Sequence, residues 1–331
     1  MSKILSILDT TSPLPDEKLG LLNHRKWIFL GPRMSLLAFL SRELPLSEEE
    51  CHLIVRLGGA YRNKRRCKRV DQPLTEGDFI QVFYRLPLQW PEIPWDDRWI
   101  GHQDKTVVVA VKPQGLPTQG RRESDVLSFY DLLKQYLGGY LGLHHRLDQD
   151  TSGLLLFTRD PKVNPTVAAL FRERAVQKTY LVLCRGGWPG SQSHLVVKES
   201  LQQIDSPFGK RHQVNHGGKM AETHLTRLAE GPRGFAAFAR PITGRTHQIR
   251  LHCQHLGTPV WGDPFYGTPE DRLPQSDRLM LHALRLTWPA RESLPAGDFL
   301  AKPAPLLLQR LKELGSDWES VRAALMQESL T

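Results

Sequence analysis

Four short apolar runs constrain the fold of this chain most: TVVVAVKP (106–113), GLLLFTRD (153–160), KTYLVLCRG (178–186) and GFAAFARPI (234–242). Each is short and rich in Val, Leu or Phe. Each has Gly or Pro on at least one flank, the pattern of a buried strand. Helical periods lie among them. SDVLSFYDLLKQYLGG (124–139) reads as an amphipathic helix with Ser124 as its cap and Gly138 as its stop. Pro165 opens PTVAALFRERA, and Gly257 closes the helix candidate GRTHQIRLHCQHLG (244–257). PLLLQRLKELGSDWESVRAALMQ (305–327) gives two amphipathic helices broken at Gly315. These elements alternate irregularly, without regular βαβ spacing. The expected class is therefore α+β, with a mixed, largely antiparallel sheet flanked by helices. Residues 187–218, rich in Gly, Ser, His and Gln, read as loops.

Upstream, SLLAFLSRELPLSEEECHLIVRLGGA (35–60) reads as two short helices. Ser47 caps the second and Gly58-Gly59 stop it. Six basic residues follow between Arg62 and Arg69, then a turn and an alternating strand in LTEGDFIQVFYRL. A like-charge run is commonly a solvated face. In a compact helix–helix–strand unit it would instead be held on one surface suited to RNA. The segment RLPLQWPEIPWDDRW (85–99) holds three prolines and three tryptophans without a period. It reads as a proline-stiffened linker packed onto a domain.

The chain has 331 residues and a net charge of +9. An excess of Lys and Arg points to a polyanionic partner, nucleic acid ahead of an acidic membrane surface. Cys51, Cys67, Cys184 and Cys253 are widely spaced and form no C-x-x-C pair. That argues against a zinc ribbon or a disulfide scaffold and fits a reducing cytosol. The apolar run before Asp9 is shorter than the core of a signal peptide, and no run approaches the ~20 residues of a spanning helix. The expected location is cytoplasmic, without membrane association.

The stretch GLHHRLDQDTSGLLLF (142–157) places Asp148 and Asp150 between basic groups and a buried strand. Arg146 and the Thr151-Ser152-Gly153 turn can orient a carboxylate, and a nearby cation favours its ionised form. The plain alternative is an Asp that bonds only to turn backbone. If both acids lay on a strand, they would share a face at roughly 7 Å, the spacing of a hydrolase carboxylate pair. A second patch, GRTHQIRLHCQHLGTPVWGDPFYG (244–267), offers His247, His252, Cys253 and His255. At about 100° per helical residue these donors do not converge, so no metal is expected. His247 and Arg250 do share a helical face at i, i+3, which suits a cationic arm beside a carboxylate. No phosphate-cradling glycine loop, dinucleotide fingerprint or Gly-x-Ser-x-Gly elbow occurs, so the expected chemistry uses no cofactor.

HRLDQDTSG (145–153) resembles the H-R-L-D-x-x-T-S-G signature of the RluA-type pseudouridine synthases. VVVAVKPQGLPTQG, KTYLVL, GRTHQIRLHCQHLGTPVWGDPFYG and LHALRLTWP match four further blocks of that family in order, over roughly 104–290. The resemblance implies a pseudouridine synthase fold and isomerisation of uridine in RNA. The glycosidic bond is broken, the base turns in place, and carbon 5 is joined to the ribose. It implies Asp148 as the catalytic acid residue, Arg250 as its partner, and Tyr180 against the target base, which is flipped out of the RNA. Arg146 would enter the vacated stack, and His145, Lys112, Arg245, Thr246 and His247 would line the substrate site. Asp150 falls at a variable position of the motif.

Residues 33–87 resemble, more distantly, the small alpha-L RNA-binding domain that many relatives carry. RMS (33–35) stands where Arg-Leu-Asp is usual, and Gly58-Gly59 replaces a single-glycine turn. The resulting organisation is an extension at 1–32, an alpha-L-type domain at 33–87, a linker at 88–103 and a catalytic domain at 104–331. The expected partner is RNA, ribosomal ahead of transfer RNA, and the expected state is a monomer. The readings from other classes are a non-catalytic RNA-binding assembly factor and a hydrolase using Asp148 with Asp150.

Overall fold

The computed structural model describes residues 7–9, 22–86, 88, 93–126, 128–206, 209–273 and 277–328. The chain forms two compact units. The larger comprises residues 1–13, 96–115 and 140–331, the smaller residues 14–95 and 116–139. Most of the 1–32 extension, and Trp90 of the proline-rich segment, lie outside the described residues. Trp95 stacks on Tyr136 in the smaller unit, and Trp99 is buried in the larger one.

The larger unit is built on one sheet. Its strands are β1 (Ile100–Gln103), β2 (Val107–Lys112), β3 (Ser152–Thr158), β4 (Gln177–Arg185) and β5 (His194–Ser206). They continue with β6 (Gly209–Val214), β7 (Lys219–Gly231), β8 (Gly234–Pro241), β9 (Leu281–Trp288) and β10 (Gly297–Lys302). The order is β6-β5-β7-β8-β4-β9-β3-β2-β1, with β10 also on β9. Neighbours along this path run antiparallel except β3 and β9, which meet in parallel at Ser152↔His282 and Gly153↔Ala283. Ile7–Asp9 adds a parallel strand to β10.

All six residues of β2 and six of the seven in β3 are buried. Both faces of these strands are covered, which is why their sequences are continuous apolar runs rather than alternating ones. Helix α1 (Asn164–Arg172) has Pro in its first turn and packs Val167 and Leu170 against Val109, Leu154 and Leu156. Helices α3 (Pro305–Glu313) and α4 (Trp318–Glu328) bury Leu307, Leu311, Val321 and Leu325 against Leu181, Leu183, Phe238 and Trp261. Between α1 and α3 in the chain order lies α2 (Gln248–His255), the helix that carries the site.

The 187–218 region differs from its loop reading: β5 and β6 form a hairpin paired to β7 over His194↔Thr226 to Leu201↔Lys219. Ladder bonds hold it. Among its described residues Val197 and Leu201 are the buried apolar ones, while Val196 is exposed, so the periodic apolar signal is weak.

In the smaller unit, Leu22–Ile28, Phe79–Arg85, Ala60–Arg62 and Arg65–Arg66 form a four-stranded sheet under two helices, Leu36–Glu43 and Glu48–Leu57. Ser47 makes a full capping box with Glu50, and Gly58 closes the helix in the left-handed region. The helix at Phe129–Leu137 is capped by Ser128, not Ser124, because Ser128 Oγ is the oxygen that accepts from the Asp131 amide. Several charges of the basic run are internally engaged. Arg62 pairs with Asp78, Arg66 donates to Arg121 O at 2.7 Å, and Arg69 is bidentate to Asp71. Lys64 and Arg65 sit exposed at the hairpin turn.

Gly153 carries the strain of the β3–β9 junction. Its φ is +113°, and a Cβ there would collide with the Ala283 backbone. Gly153→Ala is expected to lower the stability of the larger unit by about 1–3 kcal/mol, read as a fall in urea midpoint at constant slope. An unchanged midpoint would mean that the junction relaxes freely.

Candidate active site

Asp148 sits in the loop that enters β3, and that loop is clamped from several directions. The buried Lys112 at the end of β2 donates from Nζ to Gln149 O (2.9 Å) and to Pro113 O (2.8 Å). The Gly115 amide also donates to Gln149 O (3.0 Å), and Gln149 Nε2 returns a bond to Gly115 O (2.8 Å). Lys112 thus holds the loop's backbone rather than reaching an open substrate surface. The Thr151 amide closes the turn onto Asp148 O (3.2 Å).

Behind the turn, Ser152 Oγ lies 2.8 Å from His282 Nδ1, and His282 Nε2 lies 3.1 Å from Ala301 O. A carbonyl only accepts, so Nε2 carries the His282 proton and Nδ1 accepts from Ser152. His145 is fixed in the same manner: its Nε2 accepts from the Leu156 amide (2.9 Å) and its ring lies against Phe171. Burial, and then the Lys178 charge, push His145 down to about 3. His145 therefore braces β3 as a neutral ring. Arg146, the next residue, points to solvent.

The opposite wall is α2. It begins at Gln248, one residue after His247, whose φ of +56° places it in the left-handed region as the N-cap. The helix reading over 244–257 is thus shortened at its start. Gln248 secures this corner: its Oε1 accepts from Thr243 Oγ1 (2.6 Å) and the Arg245 amide (3.0 Å), and its Nε2 donates to Glu222 O (2.9 Å). Arg245 and Thr246 are exposed, with Arg245 Nε donating to Met220 O (3.2 Å). His247 and Arg250 converge on one atom. Asp148 Oδ2 lies 3.6 Å from Arg250 Nη1 and 3.9 Å from His247 Nε2.

Arg250 is 1% exposed. Its Nε and Nη2 each donate to a carboxylate oxygen of the buried Asp263 at 2.7 Å. Asp263 Oδ1 also accepts the amides of Phe265 (2.9 Å) and Tyr266 (3.0 Å). The paired carboxylates outweigh the burial penalty, so Arg250 stays charged, its guanidinium shifted above its ordinary value. Tyr180, on β4, is buried, and its phenol is raised by burial first and then by the Asp148 charge, so it keeps its proton.

The structure therefore brings Asp148, Arg250 and His247 together, with the buried Tyr180 within reach of the Asp148 charge. It uses His145 and Lys112 as internal braces and leaves Arg146, Arg245 and Thr246 on the surface. Asp148 and Asp150 lie on a turn, not on a strand as the carboxylate-pair reading required. Asp263 and Tyr266 were not singled out from the sequence. The quoted GDPFYG was the available signal, but its partners lie 13 and 19 residues earlier in the chain.

Comparison with known proteins identifies the family. Residues 106–255 match the family described as RNA pseudouridylate synthase. An uncharacterized RNA pseudouridine synthase of Zymomonas mobilis is 37% identical over 198 residues, covering 58% of this chain and 88% of that protein. The ribosomal large subunit pseudouridine synthase C of Vibrio vulnificus is 32% identical over 280 residues, covering 75% of this chain and 84% of that protein. Among solved structures, the human RNA pseudouridylate synthase domain containing 4 superposes with a TM-score of 0.52 at 27% identity, over 65% of this chain and 93% of that one. Fold and matches define an RNA-modifying isomerase. The chain belongs to the RluA-type RNA pseudouridine synthase family. Its substrate is RNA. Among the described residues no helix is long and apolar enough to cross a membrane.

Burial holds several histidines of this unit below the ordinary value of 6.5, four of them far below: His145 to about 3, and His247, His252 and His282 each to about 4. In the unfolded chain they return to about 6.5, so between pH 6.5 and 4 the unfolded state binds more protons. Stability from these groups is complete above pH 6.5 and is lost as pH falls towards 4. For the fully buried His252 and His282 the loss is about 3 kcal/mol each by pH 4. Thermal unfolding across pH 4–8 should show a flat Tm above about 7 and a progressive fall below 6.5. A constant Tm down to pH 4 would contradict the buried-neutral assignment.

Proposed function

We propose that Asp148 is the carboxylate that acts on the ribose of the target uridine, and that the RNA is ribosomal. The observation that carries the first part is the convergence of Arg250 and His247 on Asp148, with the buried Tyr180 within reach of its charge, in a chain of this family. Asp148 keeps 26% of its side chain exposed while its partner Arg250 keeps 2%, so the carboxylate is the part of the pair a substrate can reach. In this reading the C1′–N1 bond breaks beside Asp148 and the base turns against Tyr180. Carbon 5 then bonds to C1′ and releases its hydrogen as a proton, while N1, which kept the electron pair of the broken bond, takes up a proton, so that the product is an isomer of the substrate. The protonated phenol of Tyr180 presents a neutral face to the base. Arg146, exposed on the loop, enters the gap that the flipped nucleotide leaves. Shielding by the clamped loop favours recapture of the detached base over its loss to water.

The ribosomal target is supported by the names of the relatives from Vibrio vulnificus, Haemophilus ducreyi and Pasteurella multocida, each a ribosomal large subunit pseudouridine synthase C at 32–35% identity. Residues 33–87 are read as an accessory RNA-binding domain, with Lys64 and Arg65 among its exposed cations, and the working unit as a monomer.

The test is tritium release from RNA labelled at carbon 5 of uridine, taken from cells lacking the gene. Wild-type protein should release tritium from the large-subunit ribosomal fraction and leave the transfer RNA fraction at background. Release from transfer RNA alone would overturn the ribosomal assignment and leave the chemistry standing.

A further inference from the structure

We propose that Tyr266 is a positioning residue that holds His247 with its single ring proton on Nε2, aimed at Asp148. The inference rests on the reading of Asp148 as the reacting carboxylate. It starts from a convergence: the four-residue stretch 263–266 serves both groups that face Asp148. Asp263 fixes Arg250, as described above. Tyr266 fixes His247, its hydroxyl lying 2.8 Å from His247 Nδ1.

The direction of that bond follows from proton bookkeeping. The backbone amide of His212, from the β5–β6 hairpin, is close enough to the Tyr266 phenol to favour its anion, and an amide can only donate. The phenolic proton is therefore available for His247 Nδ1. Burial raises the Tyr266 phenol, so that proton stays in place. On the other side of the ring, Nε2 faces Asp148 Oδ2 at 3.9 Å. A carboxylate accepts and does not donate, so a bare Nε2 lone pair would face negative charge. Both ends thus select the same tautomer: Nδ1 accepting from Tyr266, Nε2–H turned to Asp148.

The ring stays neutral. Burial lowers His247 to about 4, and the charges of Arg250 and His212 act in the same direction against those of Asp148 and Asp263. Its orientation is also restricted. His247 sits in the left-handed region at the head of α2, near-parallel to Phe265 at 6.3 Å and edge-on to His212 at 5.7 Å. Without the hydroxyl, His247 Nδ1 loses its partner, and the other tautomer becomes accessible. Tyr266 then acts on catalysis through His247, without touching substrate.

Nitrogen-15 spectra of histidine-labelled protein near pH 7 read the tautomer directly, with His247→Gln identifying the signal. Wild type should show His247 Nδ1 as an unprotonated ring nitrogen and Nε2 as a protonated one. Tyr266→Phe should show both tautomers and lower kcat on RNA roughly tenfold, the worth of one hydrogen bond, with KM within about threefold. A wild-type His247 protonated on Nδ1 overturns the inference. So does a Tyr266→Phe protein that loses activity with its tautomer unchanged, the behaviour of a merely structural residue. If Tyr266→Phe does not fold, the wild-type spectrum decides alone. Absence of tritium release by wild type on any RNA would sink the reading of Asp148, while the spectrum still decides the tautomer.

Discussion

The buried pair between Arg250 and Asp263 is the interaction on which the site depends. Removing a guanidinium from water is costly, and the cost is offset only by full pairing in good geometry. Here both near donors of the fork are taken at 2.7 Å, and the carboxylate that takes them also accepts two backbone amides. A guanidinium is planar, with five N–H groups in fixed directions. Locking Nε and Nη2 therefore fixes where Nη1 points, and Nη1 points at Asp148. Tyr266 adds a second constraint, its ring 5.1 Å from the guanidinium carbon and its hydroxyl on His247. The positive side of the site is set before any substrate arrives.

The carboxylate side is built from different materials. Lys112, Gly115 and Gln149 hold the Asp148 loop through main-chain carbonyls and amides, and Gly153 lets β3 press against the backbone of β9. That pressing occurs at the one parallel contact along the principal strand path. The loop is thereby delivered to α2 by sheet register rather than by its own stiffness. The two histidines that flank the loop, His145 and His282, are neutral braces whose protons are fixed by main-chain or hydroxyl partners. A site made in this way asks nothing of its substrate except entry, and Asp148 is its accessible carboxylate.

Much of this was legible in the residues because burial dominates the local pattern. The runs VVVAVK and GLLLF announce strands covered on both faces, and Ser47, Pro165, Gly138 and Gly315 mark helix limits through backbone chemistry that acts over a few residues. What escaped is tertiary in origin. The β5–β6 hairpin is polar and held by ladder bonds, so it carries little periodicity. Ser124 and Ser128 are equally good caps by composition, and only the register of the helix selects Ser128. His247 takes a left-handed conformation that no periodicity encodes. Asp263 gives no signal of its own until the chain brings Arg250 to it, and Lys112, expected to line the substrate site, spends its ammonium on main-chain carbonyls. Part of the basic run near residue 66 is internally paired for the same reason: Arg62 and Arg66 find acceptors distant in the chain.

The most direct test of the account compares wild type with Asp148→Asn on the same carbon-5-labelled RNA, measuring both tritium release and RNA affinity. Asparagine is nearly isosteric but lacks the charge and nucleophilicity of a carboxylate. The account predicts release by wild type, background release by the variant, and RNA affinity within about threefold, because the neighbouring cations remain in place. Release by Asp148→Asn at a rate close to wild type would contradict it and move the chemistry to another group.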